Sequence, residues 1–389
     1  MATDLPKLCL SADTFFGKGG QGINLAQMVE GLRDSFDVNV FSRGTIPGIR
    51  SRSMSRSLLS RIVGGTPFLR RLRDLQTYLE DVTFDRRVAS RFAECAIFQG
   101  VTGQCLSSFG AAKRSGSATV LDSITVHIDE FAAVGRRACS RFGIRFPIND
   151  RMQQRMRQEY RLADRIRVMS QYAQNTFLER GFSSNKVIVA EPFYDMNEFS
   201  VVPSARSPFR VCFLGALEPW KGVQHLVEAF STLEVDDAEL VLYGGSGSHA
   251  VTHYLNQTVD QNRKISHKIV DTRESGFGAV FRGASVLVHP SLSDGWAQVV
   301  PEAMACGIPV IVTETTGAAS LIRDGANGYL VQSGDPTAIA ERLTFLAKHR
   351  DKIESMGAAA RETVAEMTID RFQQRYVPQL TGLLETGSR

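Results

Sequence analysis

The sequence predicts an α/β protein made of two doubly wound, Rossmann-like domains. Short apolar runs typical of buried strands alternate with helical patterns through both halves of the chain, which is the pattern of parallel sheets covered by helices. The alternation starts again near residue 209, after the segment VVPSARSP. At 389 residues the chain is also longer than a single hydrophobic core usually grows. We therefore expect two sheets, each binding ligands outside the carboxyl ends of its strands.

The first half contains five predicted strands. The apolar runs that predict them are residues 8–10, 38–41, 119–122, 167–170 and 187–190. Helical periodicity is found at residues 23–32, 150–162 and 172–180. The loop GKGGQG, residues 17–22, joins the first strand to the first helix. Residues 1–203 are accordingly predicted to form the first domain.

The second half repeats this organisation with glycine-rich loops after its strands. Strands are predicted at residues 211–214, 240–243, 286–289 and 310–312, with helices at 223–230 and after Asp294. Residues 204–367 are predicted to form the second domain. The remaining residues, 368–389, contain a final helix whose apolar positions are Phe372, Tyr376, Leu380 and Leu383.

The net charge of +4 conceals a difference between the two halves. Residues 1–200 have a net charge of +8, and residues 201–389 a net charge of −4. Eight arginines without an acid occupy positions 43, 50, 52, 56, 61, 70, 71 and 73. They form either a solvated surface or a contact with anionic lipid or an anionic acceptor. Nucleic acid is not expected, because no nucleic-acid-reading motif accompanies them.

The chain is expected to work in the cytoplasm. No apolar run is long enough for a signal peptide or a membrane span. The six cysteines lack metal-ligand spacing and several lie in apolar runs, which fits buried, reduced thiols. The arginines between residues 43 and 73 add the hypothesis of a peripheral contact with the inner face of an anionic membrane.

The segment PSLSDGWAQVVPEAMACGIPV, residues 290–310, carries the strongest chemical signal. Pro301 restricts the start of a short helix and Gly307 ends it, so Asp294 lies in the preceding loop and Glu302 in the first turns. The free amides at such a helix start favour an anion. Carboxylates beside an anion site suit hydroxyl groups, so the pattern indicates a ligand with both phosphates and hydroxyls, namely a nucleotide sugar.

The same segment resembles the signature of the family 4 retaining glycosyltransferases, in which two glutamates separated by seven residues accompany EAMACGxPV. The resemblance extends to FLGALEPWKGVQHLVEAF, LVLYGGSG and ADRIRVMSQYAQNTFLERGF. It implies the GT-B fold, in which two Rossmann-like domains face each other across a cleft. It also implies that the second domain binds the donor, that the first binds the acceptor, and that residues 368–389 pack back onto the first domain.

The resemblance assigns roles to both carboxylates of the motif. Glu302 matches the glutamate that holds the ribose hydroxyls, and Asp294 stands where a glutamate binds the transferred sugar. Aspartate is one methylene shorter, which leaves the identity of the sugar open. The structural alternative is that Asp294 caps the helix and Glu302 only complements its dipole.

Lys221 matches the lysine that neutralises the donor diphosphate and stabilises the leaving group. Many members have an arginine five residues earlier, where this chain has Ala216, and a glutamate where it has Ser320. One cation of the family is therefore missing. The alternative for Lys221 is a solvated residue at a helix start.

His127 follows a strand of the first domain where the family often has a histidine that contacts the sugar or the acceptor; the alternative is a structural histidine. We expect catalytic roles for His127, Lys221, Asp294 and Glu302. The predicted donor-binding residues are Gly19, Gly20, Gly22, Gly244, Gly245, Gly295, Trp296, Ala297, Val299, Thr316 and Gly317.

The resemblance implies transfer of a sugar from a nucleotide-diphosphate donor to a hydroxyl of a carbohydrate or glycolipid, without a metal or other cofactor. No metal-binding spacing or nucleophile motif is present in the sequence. The alternatives are another GT-B enzyme, such as a nucleotide-sugar epimerase or a phosphorylase, and a non-catalytic binding or scaffold protein. A dinucleotide oxidoreductase is the weakest alternative, because the loop at residues 17–22 lacks GxGxxG spacing.

Overall fold

The computed structural model describes residues 5–54, 73–203, 208–245, 247–269 and 276–386. The chain divides into two compact units. The first unit comprises the described residues of 1–132, 146–193 and 369–389, and the second those of 133–145 and 194–368. Both units are parallel α/β sheets covered by helices, as the strand and helix alternation predicts.

The boundary between the units lies at Phe193 and Tyr194 and not at residues 203 and 204, where the sequence predicts it. The reason is the packing of the preceding segment. Tyr194, Phe199 and Val202 are buried in a core cluster of the second unit. Apolar side chains so deeply buried tie this stretch to the second unit, although its sequence reads as a linker.

The first unit contains a seven-stranded parallel sheet in the order β3-β2-β1-β4-β5-β6-β7. Its strands are β1 Lys7–Ser11, β2 Asp37–Ser42, β3 Arg50–Ser53, β4 Ile97–Val101, β5 Ala118–Ser123, β6 Arg165–Val168 and β7 Val187–Val189. The sequence did not predict β3 or β4. β3 has the polar sequence RSRS and lies at the sheet edge, so it lacks the apolar run that marks a buried strand.

Helices cover both faces of this sheet, which is why its inner strands are nearly continuous apolar runs. The helices are α1 Gly19–Leu32, α2 Arg73–Ser90, α3 Leu106–Arg114, α4 Ile128–Ser140, α5 Asp150–Leu162 and α6 Gln171–Leu178. α4 begins in the first unit and ends in the second. Asn149 and Ser170 cap α5 and α6 by accepting hydrogen bonds from backbone amides of the first turn.

The second unit contains a six-stranded parallel sheet in the order β10-β9-β8-β11-β12-β13. Its strands are β8 Phe209–Leu214, β9 Ala238–Tyr243, β10 Ile265–Lys268, β11 Val286–His289, β12 Val310–Thr313 and β13 Gly328–Val331. Its helices are α7 Val223–Ser231, α8 His249–Gln261, α9 Phe277–Val280, α10 Val299–Ala305, α11 Pro336–Lys348 and α12 Asp351–Ala365. The sequence did not predict β10 and β13, which are the two edge strands.

The last helix, α13 Ile369–Thr386, belongs to the first unit. Its apolar side chains recur at helical spacing and are buried in the core around α1 and β1; they are Phe372, Tyr376, Leu380 and Leu383. The Tyr376 hydroxyl donates to Gln99 Oε1 on β4 at 2.9 Å. The apolar stripe is what holds the end of the chain on this unit.

All six cysteines are buried and none forms a disulfide. None of the helices in the described part of the chain combines the length and the apolar character needed to span a lipid bilayer. Of the eight arginines between residues 43 and 73, those at 56, 61, 70 and 71 lie outside the described residues.

Candidate functional site

The loop between β11 and α10, residues 290–298, is held by backbone hydrogen bonds from neighbouring loops. Leu292 N donates to Trp220 O at 2.8 Å, and Asp294 N donates to Thr315 O at 3.0 Å. Gly317 N in turn donates to Asp294 O at 2.9 Å. The loops that follow β8, β11 and β12 therefore meet at the carboxyl edge of the second sheet. Asp294 lies at their junction.

Asp294 forms the centre of a polar cluster with Lys221 and His289. The Lys221 Nζ lies 2.5 Å from Asp294 Oδ2, and the His289 Nε2 lies 3.2 Å from the same oxygen. Lys221 ends the 3-10 turn Pro219–Lys221 that follows β8, and His289 is the last residue of β11. Two of the predicted catalytic residues, Lys221 and Asp294, are thus in direct contact. The sequence did not single out His289.

The electrostatics of this cluster favour an ionised carboxylate and a neutral imidazole. Burial alone would raise the pKa of Asp294, but the Lys221 ammonium and the hydrogen bond with His289 outweigh it and hold that pKa below its usual range. Burial lowers the pKa of His289, and the charge of Lys221 adds to this effect. The cluster therefore consists of one anion, one cation and one neutral ring near pH 7.

Glu302 lies in the first turn of α10 and is 8% exposed. Its helix neighbours Val300 and Ala303 are fully buried. α10 has seven residues only, and its amides at Val300 and Glu302 already donate to Ala297 O and Gln298 O. Two amides of the helix start are therefore already used for hydrogen bonds within the chain and do not bind the anion that the sequence predicts there. Lys221 is then the main positive group.

The Trp296 side chain is 1% exposed, and its Nε1 donates to the Tyr194 hydroxyl at 2.8 Å. That hydroxyl also donates to Gln298 Oε1. Burial and then the charge of Glu302 raise the pKa of Tyr194. The predicted donor contact of Trp296 therefore cannot come from its indole ring, which is a structural part of the core. The sequence does not single out Tyr194, because a lone tyrosine between β7 and the 3-10 turn Met196–Glu198 carries no motif.

The other predicted residues of this loop are small and largely buried. Gly295 and Ala297 are buried, whereas Val299 is half-buried. Ala297 has a φ of 70°, a conformation that favours glycine. Thr316 is fully buried, and its hydroxyl lies 3.1 Å from that of Thr313. Gly317 touches the cluster through its amide only.

Three glycines of the second unit hold turns that a larger residue would disrupt. A Cβ on Gly222, which has a φ of 71°, would lie 1.9 Å from Pro290 O. A Cβ on Gly244 would lie 2.5 Å from Gly215 O, and one on Gly247 2.1 Å from Leu217 O. Gly245 has no atom within 4 Å of an added Cβ, so it faces open space. Of the predicted glycines after β9, Gly245 is thus the one with room for a ligand.

In the glycine loop of the first unit, too, some predicted glycines are crowded by the backbone and others face open space. A Cβ on Gly22 would lie 2.2 Å from Phe15 O, because the loop folds back on itself through a hydrogen bond from Gly17 N to Gly22 O. Gly19, with a φ of 63°, and Gly20 have no atom within 4 Å of an added Cβ. Gly19 and Gly20 are open at the start of α1, and Gly22 serves the turn.

His127 lies in a different environment from the one the sequence predicts. It is 3% exposed, and its ring packs on Tyr160, Phe177 and Phe182 with centroids 4.9–5.9 Å away. It lines a cavity of 230 Å³ whose other walls come from the start of α4 and the ends of α5 and α6.

The chemistry of His127 is that of a core histidine. Its Nδ1 accepts a hydrogen bond from Asp129 N at 3.1 Å, and burial lowers its pKa to about 4. The ring is neutral near pH 7 and fixed by aromatic packing. The structure therefore supports the structural alternative for His127 and not a contact with the donor.

Comparison with known proteins gives a consistent result for the second unit. Residues 197–363 match the family described as Glycosyl transferases group 1. A D-inositol 3-phosphate glycosyltransferase of Streptomyces griseus is 45% identical over 158 residues, which are 38% of this chain and 34% of that protein. An N-acetyl-alpha-D-glucosaminyl L-malate synthase of Bacillus anthracis is 30% identical over 148 residues, 38% of each protein. These matches span about a third of the relatives' length.

Solved structures resemble the chain over nearly its full length at low sequence identity. The HepE protein of Anabaena in complex with UDP and glucose has a TM-score of 0.74 at 17% identity, covering 97% of this chain and 100% of that chain. The sucrose-phosphate synthase of Thermosynechococcus elongatus has a TM-score of 0.72 at 18% identity, covering 98% and 100%. The second unit is thus similar in sequence to the group 1 glycosyl transferases, and the two parallel sheets of the chain have the GT-B fold.

Proposed function

We propose that this chain is a retaining glycosyltransferase that moves a sugar from a nucleoside-diphosphate sugar to a hydroxyl of a carbohydrate or glycolipid acceptor. The observation that carries the proposal is the position of Lys221. Its ammonium lies at the carboxyl edge of the second sheet, within the segment that matches the family, beside the loop that precedes Glu302. In open α/β sheets this edge is where ligands bind.

A primary ammonium at this edge suits the departure of a nucleoside diphosphate. Negative charge grows on the diphosphate as the bond to the sugar breaks, and a fixed cation stabilises that charge in a site with little water. Lys221 is 24% exposed, so its charge is partly shielded from solvent and still reachable by a ligand. Following the family resemblance, the departing diphosphate would itself assist deprotonation of the acceptor hydroxyl on the same face of the sugar.

Glu302 and Gly245 complete the proposed donor site. The carboxylate of Glu302 would accept hydrogen bonds from the ribose hydroxyls, which suits its partly buried position in α10. Gly245 leaves room for the base or ribose after β9. Several structural neighbours were solved with UDP or with UDP-glucose, which makes uridine the first base to test.

The first experiment is thermal unfolding of the purified protein with UDP, GDP, ADP, their common sugar conjugates and NAD. A ligand at 100 times its dissociation constant adds about 2.7 kcal/mol to the free energy of unfolding, so the correct nucleotide should raise the melting temperature clearly. Glu302→Ala should abolish the rise. Glu354→Ala, which removes an exposed carboxylate of α12, is the matched control and should leave the rise unchanged.

A transfer assay then tests the reaction itself. Lys221→Met should lower kcat by about 100-fold or more, the size expected when a group that stabilises transition-state charge is removed. Lys348→Met, at an exposed position of α11, is the matched control. If Lys221→Met and Glu302→Ala both left transfer unchanged, this assignment would be wrong.

A non-catalytic nucleotide-binding protein is the second candidate. Ala216 stands where many family members have an arginine, and the remaining cation, Lys221, is paired with Asp294. Thermal stabilisation by a nucleotide without transfer to any acceptor extract would favour this candidate. Release of a changed free donor would instead indicate an epimerase.

The setting of the reaction is proposed on the family resemblance. We place the protein in the cytoplasm, in polysaccharide or glycan assembly, without a metal or other cofactor; retained transfer in EDTA would agree with the latter. Of the arginines from Arg43 to Arg73, Arg43 is buried in a pair with Asp13, and those from Arg50 onward are the proposed contact with anionic membrane. Flotation with vesicles of phosphatidylcholine and phosphatidylserine tests this contact, and equal recovery with neutral vesicles would contradict it.

A further inference from the structure

Groups of the protein already occupy most of the acceptor positions of the Asp294 carboxylate. A carboxylate offers about four acceptor positions. Oδ2 takes both the Lys221 ammonium and the His289 ring, and Oδ1 accepts from Trp296 N at 3.3 Å. With three positions occupied, little capacity remains for the hydroxyls of a sugar, the role that the family position implies.

The two partners of the ion pair differ in freedom. Asp294 is anchored on both sides by backbone bonds to Thr315 and Gly317, and its side chain has one methylene. Its exposed fraction is 12%, against 24% for Lys221. Lys221 has a four-carbon stem with several rotatable bonds. If the pair opens, the ammonium moves and the carboxylate stays.

His289 helps to keep the Asp294 carboxylate fixed, which adds to the difference in freedom between Asp294 and Lys221. Its Nε2 faces Asp294, and its Nδ1 is buried without a hydrogen-bond partner among the described residues. Because an ionised carboxylate can only accept, the neutral ring of His289 carries its single proton on Nε2 and donates it to Asp294. The donated bond fixes the Asp294 carboxylate in the position that meets Lys221.

We propose that Asp294 is the resident counter-ion of Lys221, which the diphosphate of the donor must displace, and that it is not a ligand of the transferred sugar. This inference rests on the proposed function, because it names what Lys221 exchanges when a donor binds. To bind Lys221, the donor diphosphate must break the ion pair between Lys221 and Asp294. Asp294 therefore lowers the affinity for the donor. It also keeps the lysine ordered at the site when no donor is bound.

The experiment is calorimetric titration of the wild type, Asp294→Asn and Lys221→Met with UDP, UDP-glucose and inorganic pyrophosphate. Asparagine keeps the shape and the acceptor for Trp296 N but removes the charge. Asp294→Asn should bind UDP and UDP-glucose about fivefold more tightly, because the competing partly buried ion pair is gone. Lys221→Met should bind both more weakly.

Other patterns would overturn the inference. A sugar contact predicts that Asp294→Asn leaves UDP unchanged and weakens UDP-glucose. A role in supporting the site predicts weaker UDP, as in Lys221→Met, and unchanged affinities for both ligands would likewise contradict a counter-ion. A melting curve without ligand checks that the variant folds. If it does not, Asp294→Ser takes its place, because its hydroxyl can still accept from Trp296 N.

Pyrophosphate separates this inference from the proposed function, since it is a diphosphate anion without base or sugar. If the wild type binds no nucleotide, the proposed function fails, yet tighter pyrophosphate binding by Asp294→Asn would still support the counter-ion. If no pyrophosphate binding is measurable in either protein, or if the variant binds it no more tightly, the counter-ion is rejected as well.

Discussion

The two units present different polar groups at the carboxyl edges of their sheets. In the second unit the edge holds a small cluster, Lys221, His289 and Asp294, on loops of small residues. In the first unit the edge holds a larger ionic network in which most charges are buried. There Asp13 and Arg43, which follow β1 and β2, form a bidentate pair whose side chains are 4% and 7% exposed.

The first-unit network extends to α2 and α5. Arg155 pairs with Asp85 and lies 3.4 Å from Glu159, and all three side chains are at most 8% exposed. Asp85 accepts from Ser107 N and Ser108 N at the start of α3, and Glu159 accepts from Cys105 N at 3.0 Å. One arginine thus lies between two carboxylates, and both carboxylates hold the segment before and at the start of α3 through its backbone amides. The buried contacts make the first edge rigid, whereas the second edge is the one to which the proposed function assigns the donor.

The largest expected effect comes from breaking the first-unit network. Arg155→Met leaves Asp85 and Glu159 buried without their cation, which should lower the free energy of unfolding by about 3–5 kcal/mol. Urea unfolding combined with hydrogen exchange of first-unit segments measures it. Arg33→Met, which removes an exposed pair with Glu30, should change stability by less than about 0.5 kcal/mol. If Arg155→Met and Arg33→Met lowered the free energy of unfolding equally, the buried network would contribute no more to stability than an exposed ion pair.

A second substitution tests whether the second edge depends on backbone geometry. Gly222→Ala forces a side chain into a left-handed conformation 1.9 Å from Pro290 O, so we expect a loss of about 2–3 kcal/mol and weaker UDP binding through displaced Lys221. Gly245→Ala, with open space around its Cβ position, should stay within about 0.5 kcal/mol of the wild type. If Gly222→Ala changed neither the free energy of unfolding nor UDP binding, the turn would accommodate a side chain at residue 222, contrary to this prediction.

The smallest effect is a pH dependence that should belong to the first unit. Burial raises the pKa of Glu159 to about 7, against the attraction of Arg155. The folded state then binds more protons than the unfolded state between about pH 4.5 and 7, so this group stabilises the fold below pH 4.5 and loses that contribution as the pH rises through 7.

Glu159→Gln should remove this contribution, about 1–2 kcal/mol after allowance for relaxation around the buried group. Melting temperatures of the wild type and the variant between pH 4.5 and 8 measure it. Asp294 offers the contrast, because its pKa lies below the usual range and its charge does not change in this window. An unchanged pH profile in Glu159→Gln would assign the dependence to another group.

The sequence predicts the polar residues of the second unit's site better than those of the first unit. A local motif within residues 290–310 places Asp294, Glu302 and the short helix correctly, because turn residues and helix stops act over a few positions. In the first unit the predicted histidine, His127, is a core residue, and the network of Arg43, Asp13 and Arg155 was not anticipated. Its members have no local pattern that marks them as partners.

By itself the sequence determined the alternation of strands and helices, the two parallel sheets and the apolar stripe that holds α13. Each of these follows from the periodic spacing of apolar residues along the chain. Only the tertiary structure decided that Lys221 pairs with Asp294, 73 positions away. It also decided that Trp296 is buried. Such pairings depend on where distant loops meet and on how much water they exclude, and the strength of a charge contact follows from that burial.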